Sequence, residues 1–310
     1  MPEATDVHVD AALSEFAMRY ANPDTGLVAE SVAPRVPVVK QNDKYYEWDK
    51  NNIRLVETLR HEKDGPRSID FALSSTSYFC EDHELVHYIS DEERGNADPA
   101  VDPEQDAVQF LLDVIALDRE SRAASLVTST TNITNNTTLS GTDQWSDDTN
   151  SDPFGDIKTA KLSVLESCLR QANVLIIPSE VAQTLAHHSD YLERYKYAQE
   201  AVTPSGLTDH VAGLRVIEAC AYQNTAQEGQ TDALGSVWGV DVLIGHIPTV
   251  KPSKKTPCGL VTFEWQPRQV RKWREEGRKC DAIAVSDGYT DIKLTGDCFF
   301  YLIKAAIATS

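Results

Sequence analysis

Of 310 residues, 41% are apolar and 25% charged, the composition of a globular chain with apolar material for one large or two modest cores. The 48 acids against 29 bases leave a formal charge of -19, which opposes general binding to phosphate backbones, so any nucleic-acid contact is expected to be local or indirect. No apolar run reaches the roughly 20 residues of a membrane span, and the start MPEATDVHVD lacks both parts of an export signal, so the protein is expected in a cytoplasm with no membrane role. Six cysteines, Cys80, Cys168, Cys220, Cys258, Cys280 and Cys298, contain no C-x-x-C pair and read as reduced, mostly buried thiols; the sequons at Asn132, Asn135 and Asn136 then read as polar loop.

Along the chain, Pro23, Pro34 and Pro37 each fix φ and disfavour helix at the residue before, so Asn22 to Val39 is not one continuous helix and should be a largely extended arm. Its Leu27, Val28, Val32, Val36, Val38 and Val39 need a covering surface, and the expected cover is a neighbouring subunit. On that reading, deleting residues 1–37 leaves a soluble fold that assembles poorly. Residues 41–59, with Tyr45, Tyr46 and Trp48 before Asp49-Lys50-Asn51-Asn52 and Ile53, Leu55, Val56 and Leu59 after, predict a long hairpin. The charged run HEKDGPR should project from the body before the chain returns at Ile69 to Tyr78.

Asp102-Pro103-Glu104-Gln105 starts a helix, with Asp102 as N-cap and Pro103 at N1. Val108, Leu111, Leu112, Ile115 and Leu126 recur at helical steps to about residue 128, giving a rod of roughly 35–40 Å that would serve as a spine. Residues 129–151, rich in Thr, Asn and Ser, read as a long surface loop or ragged strand pair. A second helix starts at Asp152-Pro153 and buries Phe154, Ile157, Val164, Leu165, Cys168 and Leu169 before a strand over 174–177. Short helices from Ser179 and Ser189 and another before Gly213, with strands near 216–221 and 237–244, complete an α/β subdomain. PTVKPSKKTP, residues 248–257, reads as a linker. Val261, Phe263 and Trp265 then alternate as a strand, Asp287-Gly288 is a turn between strands 281–286 and 289–294, and Phe299 to Ile307 is a terminal strand.

His83-Glu84-Leu85-Val86-His87 matches H-E-x-x-H, in which two histidines one helical turn apart hold zinc and the glutamate activates water. Little room is left for the long helix such a site needs, and no third ligand sits on a recognisable downstream helix. Two partly exposed histidines on a short helix is the plainer reading, with a zinc-dependent hydrolase kept as the alternative from another class. There is no phosphate loop or nucleophile elbow, and His187-His188 reads as a helix end. Arg268, Arg271, Lys272, Arg274, Arg278 and Lys279 with Trp265 and Trp273 have nucleic-acid character, but Glu275 and Glu276 interrupt them, which favours a charged edge or interface. No catalytic, cofactor-binding or metal residue is assigned, and no enzyme activity is expected.

The order of elements resembles the major capsid proteins of tailed bacteriophages with the Hong Kong 97-type fold. The resemblance rests on YANPDTGLVAESVAPRVPV, DEERGNADPAVDPEQDAVQFLLDVIALDRESRAASLV and WSDDTNSDPFGDIKTA, and further on IIPSEVAQTLAHHSDYLERYKY, EACAYQNTAQEGQ and SVWGVDVLI. It implies an α+β fold with an N-terminal arm (1–40), an extended β-hairpin loop (41–92), a peripheral domain with a long spine helix (93–155 and 258–297) and an α/β axial domain (156–257 and 298–310). It also implies self-assembly through hexamers and pentamers into an icosahedral virion shell that encloses packaged double-stranded DNA without sequence-specific binding. Portal and cement or decoration proteins are the implied partners, and the short stretch before the arm implies a separate scaffolding protein. A cellular nanocompartment shell is the alternative within the fold.

Overall fold

The computed structural model describes residues 8–20, 26–47, 55–56, 58–59, 65, 68, 74–96, 102–196, 205–227, 229–249, 253 and 258–308. The chain begins with β1 (His8–Val9), α1 (Ala11–Arg19), α2 (Ala29–Val32), β2 (Arg35–Pro37), β3 (Asn42–Glu47), β4 (Ser74–Phe79), β5 (Glu81–Ser90) and α3 (Asp91–Asn96). There follow α4 (Pro103–Val127), β6 (Asn136–Thr138), α5 (Pro153–Cys168), β7 (Val174–Pro178), α6 (Ser179–His187) and α7 (Ser189–Tyr195). The remainder is β8 (His210–Val211), β9 (Leu214–Ala219), β10 (Tyr222–Asn224), β11 (Leu234–Ser236), β12 (Val242–Gly245), β13 (Leu260–Glu264), β14 (Gln269–Glu275), β15 (Cys280–Leu294) and β16 (Phe300–Lys304).

Two larger sheets organise these elements. The first runs β1-β14-β15-β13-β2, with β5 on the other side of β15, and the second runs β6-β16-β12-β7-β9-β8. Helix α4 joins their cores. Its start is fixed locally, because the Asp102 carboxylate accepts Glu104 N–H at 3.1 Å and Pro103 gives up a donor that a first helical turn does not use. The N-terminal half buries Val108, Leu111, Leu112 and Ile115 against Ile89, Val270, Ile283 and Val285 of the first sheet. Near its other end Ala123, Ala124 and Val127 pack with Val174, Ile176, Leu243 and Leu302 of the second. At 1.5 Å per residue the 25-residue helix is about 37 Å long, as expected of the spine.

The arm differs from expectation. Val28, Val32, Val36 and Val38 are all buried within this subunit, Val28 and Val32 beside the end of α4, Val36 and Val38 against Tyr78, Val261 and Phe263. The prolines do prevent a continuous helix, yet Pro34 and Pro37 bracket β2, which pairs in parallel with β13 through Val36 and Phe263. Fully burying a valine is worth about 1.5 kcal/mol or more, so these side chains together rival the net stability of a domain. Leu27 is half-buried, and Val39, at 91% exposure, behaves as the tether reading required.

Strand β15 also departs from the two-strand reading. Asp287-Gly288 is a bulge inside one fifteen-residue strand, where the register with β5 shifts between Ser286 and Tyr289. Gly288 takes φ +83°, and a Cβ there would lie 2.0 Å from the Gln266 carbonyl oxygen.

Before Gly213 the described residues form a hairpin rather than a helix. Ala212 and Gly213 both have positive φ, the requirement of a tight turn between β8 and β9. Residues 237–240 are turn, so the strand expected from 237 begins at Val242. Leu165 and Leu169, expected inside, are exposed, because the buried stripe of α5 runs along the neighbouring face through Ile157, Ala160, Val164 and Cys168 and Leu169 is the left-handed cap. Within 129–151, Ile133, Leu139 and Trp145 are buried and β6 pairs with β16. β3 and β4 pair in register as the base of the expected hairpin, while Trp48 to Ile53, most of HEKDGPR and most of 248–257 lie outside the described residues.

Candidate assembly scaffold and its buried polar clamp

Arg119 and Glu120 sit in the middle of α4, both buried. Helix α2 has no side-chain cap of its own, and Glu120 supplies one from the spine, accepting Val28 N–H at 3.0 Å and Ala29 N–H at 2.7 Å. The same carboxylate accepts Trp238 Nε1–H at 2.6 Å, from the turn leading to β12. Burial pushes the Glu120 carboxyl up even though all of these donors pull it down.

Arg119 donates to Glu30 Oε1 at 2.8 Å, to the Ala33 carbonyl at 3.2 Å and to Thr262 Oγ1 at 3.3 Å. At the bulge, Asp287 accepts from Arg35 Nη2 at 2.7 Å and from Arg268 Nε at 2.8 Å. Burial alone would raise its carboxyl, but the fields and hydrogen bonds of Arg35 and Arg268 outweigh it and hold the group below the usual carboxylate range. Arm, spine, first sheet and the approach to β12 therefore meet in one polar clamp. Desolvating such ions costs several kcal/mol each, so the clamp's contribution is a fixed arrangement rather than a large net stabilisation.

Val28, Arg268 and Asp287 were named from sequence in other roles, but Arg119 and Glu120, the centre of the clamp, were not singled out. A signal was present: residues 119 and 120 lie four steps from Ile115 and Ala116 and four before Ala123 and Ala124, so an acid-base pair interrupts an apolar stripe.

The H-E-x-x-H residues lie on strand β5, not on a helix. His83 and His87 face α4, where Arg122 Nη1 donates to His83 Nε2 at 2.9 Å and the His87 ring meets Phe110 edge-on at 6.5 Å. Four strand residues separate their Cα atoms by about 13 Å, while two nitrogens on one zinc lie within about 4 Å. Glu84 points to the other face and accepts from Arg271 Nε at 3.1 Å. Among the described residues no group of three His, Cys, Asp or Glu side chains could hold a metal ion.

His187 ends α6 as expected, its Nδ1 2.8 Å from the Gln183 carbonyl. Buried His188 lies 3.0 Å from Ser151 Oγ and 3.9 Å from the Asp148 carboxylate, superficially a serine-histidine-aspartate array. The polarity is wrong for a nucleophile. Nδ1 of His188 accepts Asp190 N–H at 3.2 Å, so its proton is on Nε2 and points at Ser151, whose hydroxyl donates to the Asp147 carbonyl at 2.8 Å.

Five of the six cations of the basic cluster meet carboxylates of this subunit, and Lys279 is exposed. Arg268 meets Asp287, Arg271 meets Glu84, Lys272 meets Glu104, Arg274 meets Asp91 at 2.6 Å and Asp281 at 3.2 Å, and Arg278 meets Glu275 at 3.6 Å. All six cysteines are free; Cys80, Cys168, Cys258 and Cys280 are buried, and burial pushes the Cys258 thiol up to about 12.

No protein-family model matches the chain. It is 31% identical over 266 residues to the major capsid protein of Pseudomonas phage JBD67, covering 84% of each. A phage-related protein of Bordetella bronchiseptica RB50 shares the fold with a TM-score of 0.77 at 24% identity, covering 96% of this chain and 97% of that one. The capsid of the cyanophage P-SCSP1u aligns with a TM-score of 0.59 at 11% identity, over 92% and 90%. A spine helix shared by the cores of two sheets, the Hong Kong 97-type arrangement those structures share, and the sequence relationship agree, and the chain belongs to the family of phage major capsid proteins, the structural subunits of the virion shell.

Proposed function

We propose that this protein assembles, through hexamers and pentamers, into the icosahedral shell that encloses packaged double-stranded DNA in a tailed phage. The relationship to a phage major capsid protein over 84% of the chain carries this reading. Charge supports the part concerning DNA: with a formal charge of -19 and the β14 cations paired to carboxylates, the wall holds the genome without gripping its phosphates. The subunit has no catalytic task in this role and resides in the host cytoplasm until it enters the virion. A portal, a separate scaffolding protein and decoration proteins are its partners.

The proposed division is an arm over 1–40, an extended loop over 41–92, a peripheral domain over 93–155 and 258–297, and an axial domain over 156–257 and 298–310. Strand β6 pairs with β16, so residues 136–138 are better grouped with the axial sheet. Arm residues reach the peripheral sheet through β2.

Negative-stain electron microscopy and sedimentation velocity of the purified protein test the reading. Closed shells or rings of five and six subunits are expected, and a protein that stays monomeric at high concentration in the presence of phage scaffold overturns it. Shells recovered from phage-infected cells should hold duplex DNA; shells filled with a cargo protein would point to a nanocompartment instead.

A further inference from the structure

Helix α5 presents an apolar stripe to solvent. Leu162, Leu165 and Leu169 are 50%, 38% and 45% exposed, and their i, i+3, i+7 spacing puts them on one face, with exposed Lys158 one turn ahead. Beside the stripe lies a cleft of about 560 Å³ onto which Lys158, Lys161 and Arg194 converge. Its floor includes buried Phe154, over whose ring the Arg194 guanidinium stands at 4.2 Å. The one acid lining it, Asp152, is occupied in accepting Gly155 N–H at 2.8 Å as the helix cap, and the acid beside the stripe is Glu166.

That local excess of positive charge differs from the clamp and the β14 edge. Arg35, Arg119, Arg268, Arg271 and Arg274 each meet a carboxylate of their own subunit. Among the described residues Lys161 meets a backbone carbonyl, that of Ala212 at 2.7 Å, and no carboxylate.

We infer that this α5 face is a docking surface for a second copy of the chain, whose acidic surface seats its carboxylates on Lys158, Lys161 and Arg194 while apolar side chains cover the three leucines. The inference rests on the shell-forming reading above. With 48 acids against 29 bases, a second copy keeps carboxylates that no cation of its own can neutralise, which supplies the complement. An apolar stripe facing a differently charged surface is a head-to-tail contact, the type that closes rings of identical subunits.

The test uses the full chain under conditions in which the wild type forms shells. Leu165→Asp and Lys158→Glu are expected to keep the wild-type melting temperature and circular dichroism while shell yield falls at least tenfold. Wild-type yields from both folded variants overturn the inference. A photo-crosslinker at position 162 removes dependence on variant folding: in assembled shells it should give a product of twice the subunit mass, joined to an acidic peptide of a second copy. Crosslinks to DNA, to a different protein or to a basic peptide overturn it. A wild-type chain that never assembles brings down the shell reading itself, whereas shells lacking the crosslink bring down only this face.

Discussion

Arg35 donates from Nη2 to Asp287 Oδ1 at 2.7 Å, joining residues 252 apart in sequence and locking the arm onto the bulge of β15. Asp287 also holds Arg268, so Asp287→Asn leaves two guanidinium groups on a neutral amide in a dry site. A loss of about 3–5 kcal/mol is expected, read from urea unfolding at neutral pH. The pH dependence has a definite sign. Asp287 is depressed in the fold, so its stabilisation is complete above the ordinary value of 3.8 and disappears as pH falls through the lower folded value. Unfolding midpoints of the wild type and Asp287→Asn should therefore converge in acid; a gap that stays constant would show that charge is not what Asp287 contributes.

The bulge itself is set by Gly288. An alanine there needs φ +83° and drives its Cβ against the Gln266 backbone, which a strand paired on both sides cannot yield. Gly288→Ala is expected to cost about 2–4 kcal/mol from the combined strain and overpacking. Gly277→Ala, with open space around it, serves as the comparison and should stay within about 1 kcal/mol of the wild type.

Glu120 carries the opposite pH sign. Its folded value is raised, so its contribution is complete below the ordinary 4.5 and is lost as pH rises through the folded value. In Glu120→Gln that decline should vanish. The variant starts lower by about 1–3 kcal/mol, because an amide NH₂ now faces one of the donors from Val28, Ala29 or Trp238. Thermal midpoints from pH 4 to 8 check both parts, and a variant with the wild-type slope would remove Glu120 as the origin.

What the sequence disclosed was chiefly local. The starts of α4 and α5 follow from Asp-Pro pairs whose carboxylates cap the adjacent N–H groups, and the three aromatic and aliphatic positions from Val261 to Trp265 fall on or beside β13. Asp287-Gly288 misled because a turn and a bulge both use glycine at positive φ; the choice was made by Arg35, hundreds of residues away. H-E-x-x-H misled in a similar way, since a ten-residue segment has no periodicity strong enough to separate helix from strand. The clamp was hidden because its members come from the arm, the spine and the bulge, and only the fold brings them together.

The arm offers a sharper test of that non-local order. Deleting residues 1–37 removes α1, α2 and β2, exposes the Phe263 side of β13 and strips Arg119, Glu120 and Asp287 of partners. Loss of the cooperative thermal transition is expected, not a stable subunit with an assembly defect. Val39→Ser, at a site 91% exposed, should leave the transition within about 0.5 kcal/mol. A deletion that melts like the full chain would restore the tether.

Strand geometry makes a last prediction for the histidine motif. Because β5 turns Glu84 to one face and His83 and His87 to the other, no single ion reaches all of them. Glu84→Gln weakens only a partly exposed pair with Arg271, an interaction worth about 1 kcal/mol or less, and should leave shell yield unchanged. His87→Ala removes an edge contact to Phe110 and is expected to alter packing on that side of α4 without altering metal content. Zinc titrated into the wild type and both variants should give the same weak, non-stoichiometric signal by calorimetry. One tightly bound zinc per subunit, lost in His83→Ala and His87→Ala alike, would show that this segment leaves the strand in solution and forms the helix the motif requires.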